Sequence, residues 1–289
     1  MIIAVPTMNL WENNPVYENI IKNSIHHKEN FIFFVRPYQV DQYSRGMPDI
    51  KVVPIGEECI NMGTTRRWIN QYMISHGVKV YAQVDDRISS IDMVYFENSK
   101  ARVSSKDFSR RHTDDILSGI DKMSCSLFSA YPNLSMLSLR RRGFANNVKE
   151  GCAVELNGSI SSIDDVLIIN TDHPLENLPE TDNFFEDMNY PIASMSSGRY
   201  VGLIHVFTKS SDESIPSRCF ASKKEKNDCI MSTLKDIILE RYQCREWLSI
   251  DWNKDNTFPV VRVDYKNSPV PRIKLSVQDI ERILNEHSN

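Results

Sequence analysis

Short apolar strands and amphipathic helices alternate through the first third of the chain, and this alternation constrains the fold more than any other feature. Apolar strand-like runs stand at "IIAV", "FIFFV", "IKVVPIG" and "KVYAQV". The segments after the first and third runs carry apolar residues at helical spacing. Strands interleaved with helices are typical of a parallel sheet with helices on its faces. The sequence therefore predicts an α/β fold with a mostly parallel mixed sheet and helices on both faces.

Composition narrows the class of protein further. The chain has 289 residues and a net charge of −4, which is not typical of a protein that coats nucleic acid without specificity. Its six cysteines form no C-x-x-C pair, so neither a disulfide framework nor a thiolate zinc site is expected. The longest apolar run, 31–35, is too short to span a membrane. The first residues lack a basic region and are interrupted by Pro6, so we expect a strand there, not a signal peptide, and a cytoplasmic protein.

The rest of the chain continues with strands and helices and contains no evident linker. Strand-like runs recur at "LSMLSL", "DDVLIIN", "YVGLIHVF" and "PVVRVDY", and "SVQD" opens a final amphipathic helix. We expect a core over residues 1–210 and a C-terminal extension over 211–289 that packs on it, together forming one compact unit.

Two adjacent carboxylates mark a candidate site. Asp85 and Asp86 follow directly on the strand "KVYAQV" and precede Arg87. In open α/β sheets, ligands bind beside the carboxyl ends of the strands. The alternative is a solvated turn at the strand end.

The order of the motifs suggests a family resemblance. The first strand ends in "PTMN", a helix opens with "MGTTRRW", the fourth strand ends in "VDDR", and "FFEDMNY" comes much later. This order resembles that of GT-A glycosyltransferases, in which a Rossmann-like nucleotide-sugar domain carries a strand-end acidic motif and a later Glu-Asp pair. The resemblance implies a nucleotide-sugar donor as co-substrate.

The chemistry of sugar transfer fits these positions. A departing nucleoside diphosphate needs a divalent metal, basic side chains or helix N-terminal amides to stabilise its charge. Asp85 and Asp86 are candidate ligands for ribose and for Mn²⁺ or Mg²⁺, and paired arginines suit phosphate. For the arginines, a solvated first helical turn is the equal alternative. The predicted donor-binding set is Pro6, Thr7, Asn9, Arg36, Gly63, Arg66, Arg67, Asp85, Asp86 and Arg87.

Arg87 departs from the usual acidic motif. In the common form with three acidic residues, the third is a metal ligand, and this chain has Arg87 there. Either Asp85 takes the ligand position in a shifted register, or Arg87 partly replaces the cation.

Glu186 and Asp187 are the candidate catalytic residues. A hydroxyl acceptor needs a positioned carboxylate to take its proton as it attacks the anomeric carbon. Asp187 is the predicted base, with Glu186 as the other candidate. An acidic pair at a helix start is also ordinary capping chemistry.

A more specific resemblance covers the second half of the chain. It rests on "SLRRRGFANNV", "FFEDMNYPIASMSSGRYV", "SRCFASKKEKNDCIMSTLKD" and "FPVVRVDYKNS". These segments resemble successive motifs of the TET/JBP-associated glycosyltransferases, relatives of the base J glucosyltransferase. The resemblance implies a phage enzyme that transfers a hexose or pentose, most simply from a UDP-sugar, to the hydroxymethyl group of a modified pyrimidine in DNA.

The segment "SLRRRGFANNV", called the basic segment below, suits an acceptor in DNA. Arginines contact phosphates, an aromatic side chain stacks on an extruded base, and amides read base edges. The predicted DNA-binding residues are Arg140, Arg141, Arg142, Phe144, Asn146 and Asn147. An exposed basic turn is the alternative.

Two other functions stay open at the level of sequence. One is a GT-A glycosyltransferase acting on a glycan, lipid or protein, which the net charge of −4 favours mildly. The other is a DNA-binding protein with a decayed glycosyltransferase fold, suggested by Arg87.

Overall fold

The computed structural model describes residues 1–148, 151–158, 163–173, 186–212, 223–254 and 259–287. The strands are β1 (Ile2–Pro6), β2 (Phe31–Val35), β3 (Lys51–Pro54), β4 (Val80–Val84), β5 (Ile88–Glu97), β6 (Lys100–Val103), β7 (Leu134–Arg141), β8 (Cys152–Leu156), β9 (Val166–Asn170), β10 (Tyr200–Ser211), β11 (Leu248–Trp252), β12 (Pro259–Val263) and β13 (Ile273–Ser276). The α-helices are α1 (Pro15–Asn19), α2 (Val40–Gly46), α3 (Met62–Ser75), α4 (Lys106–Arg111), α5 (Thr113–Ala130), α6 (Glu186–Ser196), α7 (Lys223–Asp236) and α8 (Val277–Glu286).

A mixed sheet forms the centre of the fold. Its strand order is β13-β8-β10-β7-β9-β4-β1-β2-β3, and the β5–β6 ribbon joins it through β10. Neighbours β4, β1, β2 and β3 run parallel. Strands β5, β8 and β9 are antiparallel to the strands with which they pair. The prediction of a mostly parallel mixed α/β sheet is confirmed.

Helices cover both faces of the sheet because the strands are apolar on both sides. Ile3 and Val5 of β1 face one core, which α1, α2, α5 and α8 complete. Ala4, between them, faces the other core, to which α3, α6 and α7 contribute. This period of two is the side-chain alternation of a strand. It confirms the predicted placement of helices on both faces.

Local capping explains where two helices begin. Asn61 caps α3 in a capping box with Thr64, which places the helix start one residue before the predicted Gly63. Ser276 and Asp279 form the same motif at α8, where "SVQD" predicted it. The start of α3 lies beyond the carboxyl end of β3, at the edge of the sheet where the candidate site was expected.

The C-terminal part contributes to the main sheet. β13 pairs antiparallel with β8, and α8 packs against α5. β11 and β12 form a separate two-stranded sheet. β10 runs to Ser211, across the expected boundary between residues 210 and 211, and the division into core and extension stays a prediction. Among the described residues, no helix is long and apolar enough to cross a membrane.

Candidate active site

Side chains from β1, β4 and α2 meet at the carboxyl edge of the sheet. The Thr7 hydroxyl donates a hydrogen bond to Asp86 Oδ2 at 2.7 Å and lies 2.8 Å from the Tyr43 hydroxyl. Because a hydroxyl has one proton to donate, Tyr43 must donate to Thr7. The Tyr43 oxygen in turn accepts from the Leu10 amide at 2.9 Å. This chain of hydrogen bonds orients Asp86, and the structure brings the predicted residues Thr7 and Asp86 together.

Arg66 is a partner of Asp85. Its Nη2 lies 2.6 Å from Asp85 Oδ1, and the residue is 1% exposed. The alternative of a solvated first turn is therefore wrong for Arg66. The Arg66 guanidinium lies beside Gln83 and Asp85, and its contact with donor phosphates stays a prediction.

A second acidic pair, which the sequence analysis missed, adjoins the first. β9 runs antiparallel to β4 with Val166 opposite Val84, so Asp165 comes beside Asp85. The Asp85 amide donates to the Asp165 carbonyl oxygen at 2.8 Å. The segment "DDVLIIN" was interpreted as strand throughout, whereas the strand begins at Val166. The available signal was a second pair of carboxylates bordering an apolar strand.

Two cations hold this second pair. Lys209 Nζ lies 2.6 Å from Asp164 Oδ1, and Lys209 is 1% exposed. Arg141, which is half-exposed, forms an ion pair with Asp164 and lies 3.7 Å from Asp165 Oδ2. A buried carboxylate of this kind persists only when it is paired and hydrogen-bonded. The edge of the sheet thus carries acidic and basic side chains in alternation.

The cations determine the ionisation of Asp165. Burial by itself would raise the pKa of this carboxyl, but the attraction of Lys209, Arg141, Arg66 and Arg87 holds it below its usual value of 3.8. The Ser211 hydroxyl also donates to Asp165 Oδ2 at 3.3 Å. Asp165 is therefore anionic at neutral pH.

This lowered pKa predicts a pH-dependent contribution to stability. Ionised Asp165 stabilises the fold above its unfolded pKa, and the contribution is lost as the pH falls through the lower folded value. We expect Asp165→Asn to lower the free energy of unfolding at neutral pH and to have a shrinking effect below about pH 4. Urea unfolding of both proteins across this range measures the difference. A difference that stays constant with pH would contradict the assignment.

Asp85 and Asp86 suit a metal ion that is also bound by phosphate groups of a ligand. Within the described residues, no group of three or more His, Cys, Asp or Glu side chains is placed to hold a metal ion. One oxygen of Asp85 contacts Arg66, and one oxygen of Asp86 contacts Thr7. Mg²⁺ is commonly bound by one or two carboxylates together with substrate phosphates. Asp86, with Asp85 beside it, would hold such an ion together with bound phosphate groups.

The remaining predicted donor residues lie at strand ends and in α3. Pro6 closes β1, and Asn9, with a left-handed φ of 59°, accepts a hydrogen bond from the Gln39 side chain. Arg36 directly follows β2 and is half-buried. Arg67 of α3 is also half-buried. Pro6, Asn9 and Arg36 lie at one edge of the sheet because they come at or just after the ends of parallel strands.

Arg87 lies in the turn after the first acidic pair. It is half-buried, and its carbonyl oxygen accepts from the Asp212 amide at 2.7 Å. The Ile88 amide donates to the Asp85 carbonyl at 3.0 Å and closes the turn. Gln83 is fully buried inside β4. Arg87 contributes positive charge near Asp165. The two interpretations of the motif, a shifted register with Asp85 as ligand or partial replacement of the cation by Arg87, stay predictions.

Helix α6 begins at the predicted catalytic pair. Glu186 and Asp187 are its first two residues, and their side chains lie outside the described part of the structure. The position of the helix itself is defined by Tyr190, which is 2% exposed and whose hydroxyl donates to the Gly63 carbonyl at 3.4 Å. The helix carrying the pair thus contacts the first turn of α3 beside the acidic site.

The three arginines of the basic segment have partners within the chain. Arg142 pairs with fully buried Asp92 at 2.6 Å, and Arg141 pairs with Asp164. Arg140 donates to the Phe144 carbonyl at 2.9 Å and contacts His205 Nδ1 at 3.2 Å. Ion pairs thus tie this basic turn to the fold, and DNA contact by the three arginines stays a prediction.

The rest of the basic segment differs in exposure. Phe144 is 49% exposed and Asn146 is exposed, in a 3₁₀ turn over Arg142–Asn147. The Asn147 side chain lies outside the described part. An exposed aromatic side chain and an exposed amide side chain are thus displayed by a turn that ion pairs hold in place.

Comparisons with known proteins give similarity in fold and none in sequence family. No family model matches the chain, and no curated protein matches it. Among solved structures, it is similar to a glucosyl-3-phosphoglycerate synthase from Mycobacterium tuberculosis in complex with Mg²⁺ and uridine-diphosphate. The TM-score is 0.49 at 8% identity, over 97% of this chain and 91% of that one.

Two further structures resemble the chain at a similar level. A mannosyltransferase from Pyrobaculum calidifontis in complex with GDP-Man and Mn²⁺ has a TM-score of 0.41 at 11% identity, over 81% of this chain and 64% of that one. A CMP:2-keto-3-deoxy-manno-octonic acid synthetase complexed with CTP has a TM-score of 0.41 at 11% identity, over 81% and 98%. Similarity this low carries no statement about the substrate of this chain.

Proposed function

We propose that this chain is a metal-assisted glycosyltransferase that uses a nucleotide-sugar donor, most simply a UDP-sugar. The observation that carries the proposal is the joint placement of Asp85 and Asp86 at the carboxyl edge of parallel strands, each oriented by a partner. Arg66 holds Asp85, and Thr7 holds Asp86. Open α/β sheets bind nucleotides at this edge. We therefore propose that the fold is of the GT-A type.

The charge pattern supports a diphosphate leaving group. Asp85 and Asp86 provide carboxylate oxygens, while Arg87 and Arg141 provide positive charge beside the neighbouring Asp165. A metal ion held here would stabilise the developing charge, and the arginines would add fixed positive charge near the same group. A site with only acids would repel the diphosphate, and a site with only bases would hold no metal.

The placement of α6 supports transfer to a hydroxyl. Its first residues, Glu186 and Asp187, stand in a helix that contacts the start of α3 through Tyr190. A carboxylate at this position would accept the proton of the acceptor hydroxyl. We propose Asp187 for this role.

We further propose that the sugar acceptor is a hydroxymethylated pyrimidine in DNA. The resemblance of the second half of the chain to DNA-modifying glycosyltransferases favours it. Exposed Phe144 and Asn146 supply a stacking surface and an amide for a base removed from the duplex. We assign base contact to these two, and we assign the three neighbouring arginines first to holding the turn.

A transfer assay tests the function and its acceptor together. The protein is incubated with UDP-, GDP- and CMP-linked sugars in the presence of Mn²⁺, and released nucleotide is measured. Duplexes containing hydroxymethylcytosine or hydroxymethyluracil are added, with the unmodified duplex as control. We expect nucleotide release and a mass increase of one sugar on a hydroxymethylated duplex alone.

Other outcomes of the assay identify the alternatives. Donor hydrolysis without modified DNA would indicate a glycan, lipid or protein acceptor. Duplex binding without any nucleotide binding or release would contradict the enzymatic proposal and support a DNA-binding protein.

A further inference from the structure

A buried polar ladder lies directly beneath the acidic site. Tyr81, Gln83 and Asp85 alternate along β4, so their side chains share the face of the sheet that α3 covers. Arg66 and Asn70 lie four residues apart on α3 and share the facing side of that helix. The two rows hydrogen-bond to each other from the interior to the site.

Gln83 holds Arg66 at two points. Its Nε2 donates to the Arg66 carbonyl oxygen at 3.1 Å, and its Oε1 accepts from Arg66 Nη1 at 3.4 Å. A guanidinium only donates and a carbonyl only accepts, so these two partners fix the orientation of the amide. Both residues are almost completely buried, Gln83 at 0% and Arg66 at 1% exposure.

The inner end of the ladder is closed by Tyr81 and Asn70. Gln83 Nε2 also donates to the Tyr81 hydroxyl at 2.8 Å, and that hydroxyl donates to Asn70 Oδ1 at 3.0 Å. Burial raises the pKa of Tyr81 far above its usual value, so the hydroxyl keeps its proton. These two hydrogen bonds therefore run from Gln83 through the Tyr81 hydroxyl to Asn70.

The outer end of the ladder is Asp85. Arg66 Nη2 contacts its Oδ1 at 2.6 Å, while the Asp85 side chain keeps 18% exposure. A buried guanidinium left without a carboxylate is costly, so the pair is strongly favoured. Because Gln83 fixes the position of Arg66, and Arg66 fixes one oxygen of Asp85, the carboxylate faces the site edge in one orientation.

We propose that Gln83 and Arg66 are positioning residues for donor binding, which present Asp85 to a nucleoside diphosphate. This inference rests on the proposed function. The two adjacent arginines of α3 then have different roles. Arg66 acts through Asp85 inside the protein, whereas half-buried Arg67 lies at the surface. A residue that orients a ligand through a hydrogen bond typically contributes a factor of roughly 10 to 100 to affinity.

The test is a double-mutant cycle on nucleotide affinity. Gln83→Met keeps the length of the side chain and removes both contacts to Arg66. Calorimetry with UDP and Mn²⁺ is expected to show affinity weakened roughly 10- to 100-fold relative to wild type. In an Asp85→Asn background the same substitution is expected to change affinity by less than about twofold, because the group it positions is already lost.

Asn70→Leu is the matched control. It breaks the inner end of the ladder and leaves the contacts between Gln83 and Arg66 in place. We expect a lowered Tm with UDP affinity within about twofold of wild type. If Gln83→Met does not fold, Arg66→Lys takes its place in the cycle, because a lysine keeps the charge and cannot bridge Gln83 and Asp85.

The outcomes separate the inference from the function. Wild type that binds UDP together with a Gln83→Met protein of unchanged affinity overturns the inference alone. An equal loss in the wild-type and Asp85→Asn backgrounds overturns it too, because the effect would then be general destabilisation. Wild type that binds no UDP contradicts the proposed function itself.

Discussion

Asp187→Asn is expected to lower the turnover of sugar transfer by roughly 10²- to 10⁴-fold, the usual contribution of a general base. The substitution keeps the shape of the side chain and removes its ability to accept a proton. Donor affinity should stay near wild type, because the residue serves the acceptor. Steady-state transfer kinetics with calorimetry on UDP measure the two effects separately.

Two further variants make this prediction specific. Glu186→Gln tests the neighbouring carboxylate, and a large loss there with an active Asp187→Asn protein would move the base by one residue. Asp279→Asn removes an acid from the first turn of α8, where it completes a capping box. It shows what loss of a helix-capping charge does by itself, namely a lower Tm with unchanged turnover. If Asp187→Asn behaves like Asp279→Asn, its catalytic role is refuted.

Lys209→Met is expected to lower the free energy of unfolding by about 3–5 kcal/mol, because it leaves the buried Asp164 carboxylate without its buried cation. Lys209 is 1% exposed, and its Nζ lies 2.6 Å from Asp164 Oδ1. Half-exposed Arg141 is the other cation that pairs with Asp164. Urea unfolding measures the change.

The control for Lys209 is the same substitution at the surface. Lys22→Met removes an exposed lysine that pairs with Glu18 on its own helical turn, and we expect little change in stability. Adding Asp164→Asn to Lys209→Met should recover much of the lost stability, because the unpaired charge is removed. A Lys209→Met protein as stable as Lys22→Met would show that the ion pair adds nothing to the fold.

The architecture followed from the sequence because hydrophobic periodicity reports burial directly. Runs such as "FIFFV" are apolar at every position, which is typical of a strand covered on both faces. The strand-end position of Asp85 and Asp86 followed from the same pattern. The start of α8 was predictable because its capping box is a local signal.

The partners within the site were not predictable because they are set by contacts between distant segments. Asp165 reaches Asp85 only because β9 inserts antiparallel between β4 and β7. Arg66 and Arg67 are adjacent in sequence and equal in composition, yet the packing of α3 buries one and leaves the other half-exposed. No local pattern distinguishes a phosphate-binding arginine from one that pairs with a carboxylate inside the protein.

The basic segment shows the same limit. Three consecutive arginines predict a surface for phosphate, but each meets a group supplied from elsewhere, and Arg142 meets Asp92 on β5. That carboxylate is fully buried and also accepts from Ser90 and Ser109. Charge runs in a sequence show where cations are, and the tertiary fold decides how many of them remain available to a ligand.

We assign the donor site to Asp85 and Asp86, and calorimetry of UDP in the presence of Mn²⁺ measures whether they bind the nucleotide. Asp86→Asn is compared with wild type and with Asp49→Asn, an exposed aspartate at the opposite edge of the sheet that pairs with Lys28. We predict that wild type and Asp49→Asn bind UDP alike and that Asp86→Asn weakens binding by more than about tenfold. Equal UDP affinity in all three proteins would contradict the assignment of Asp86 to the donor site.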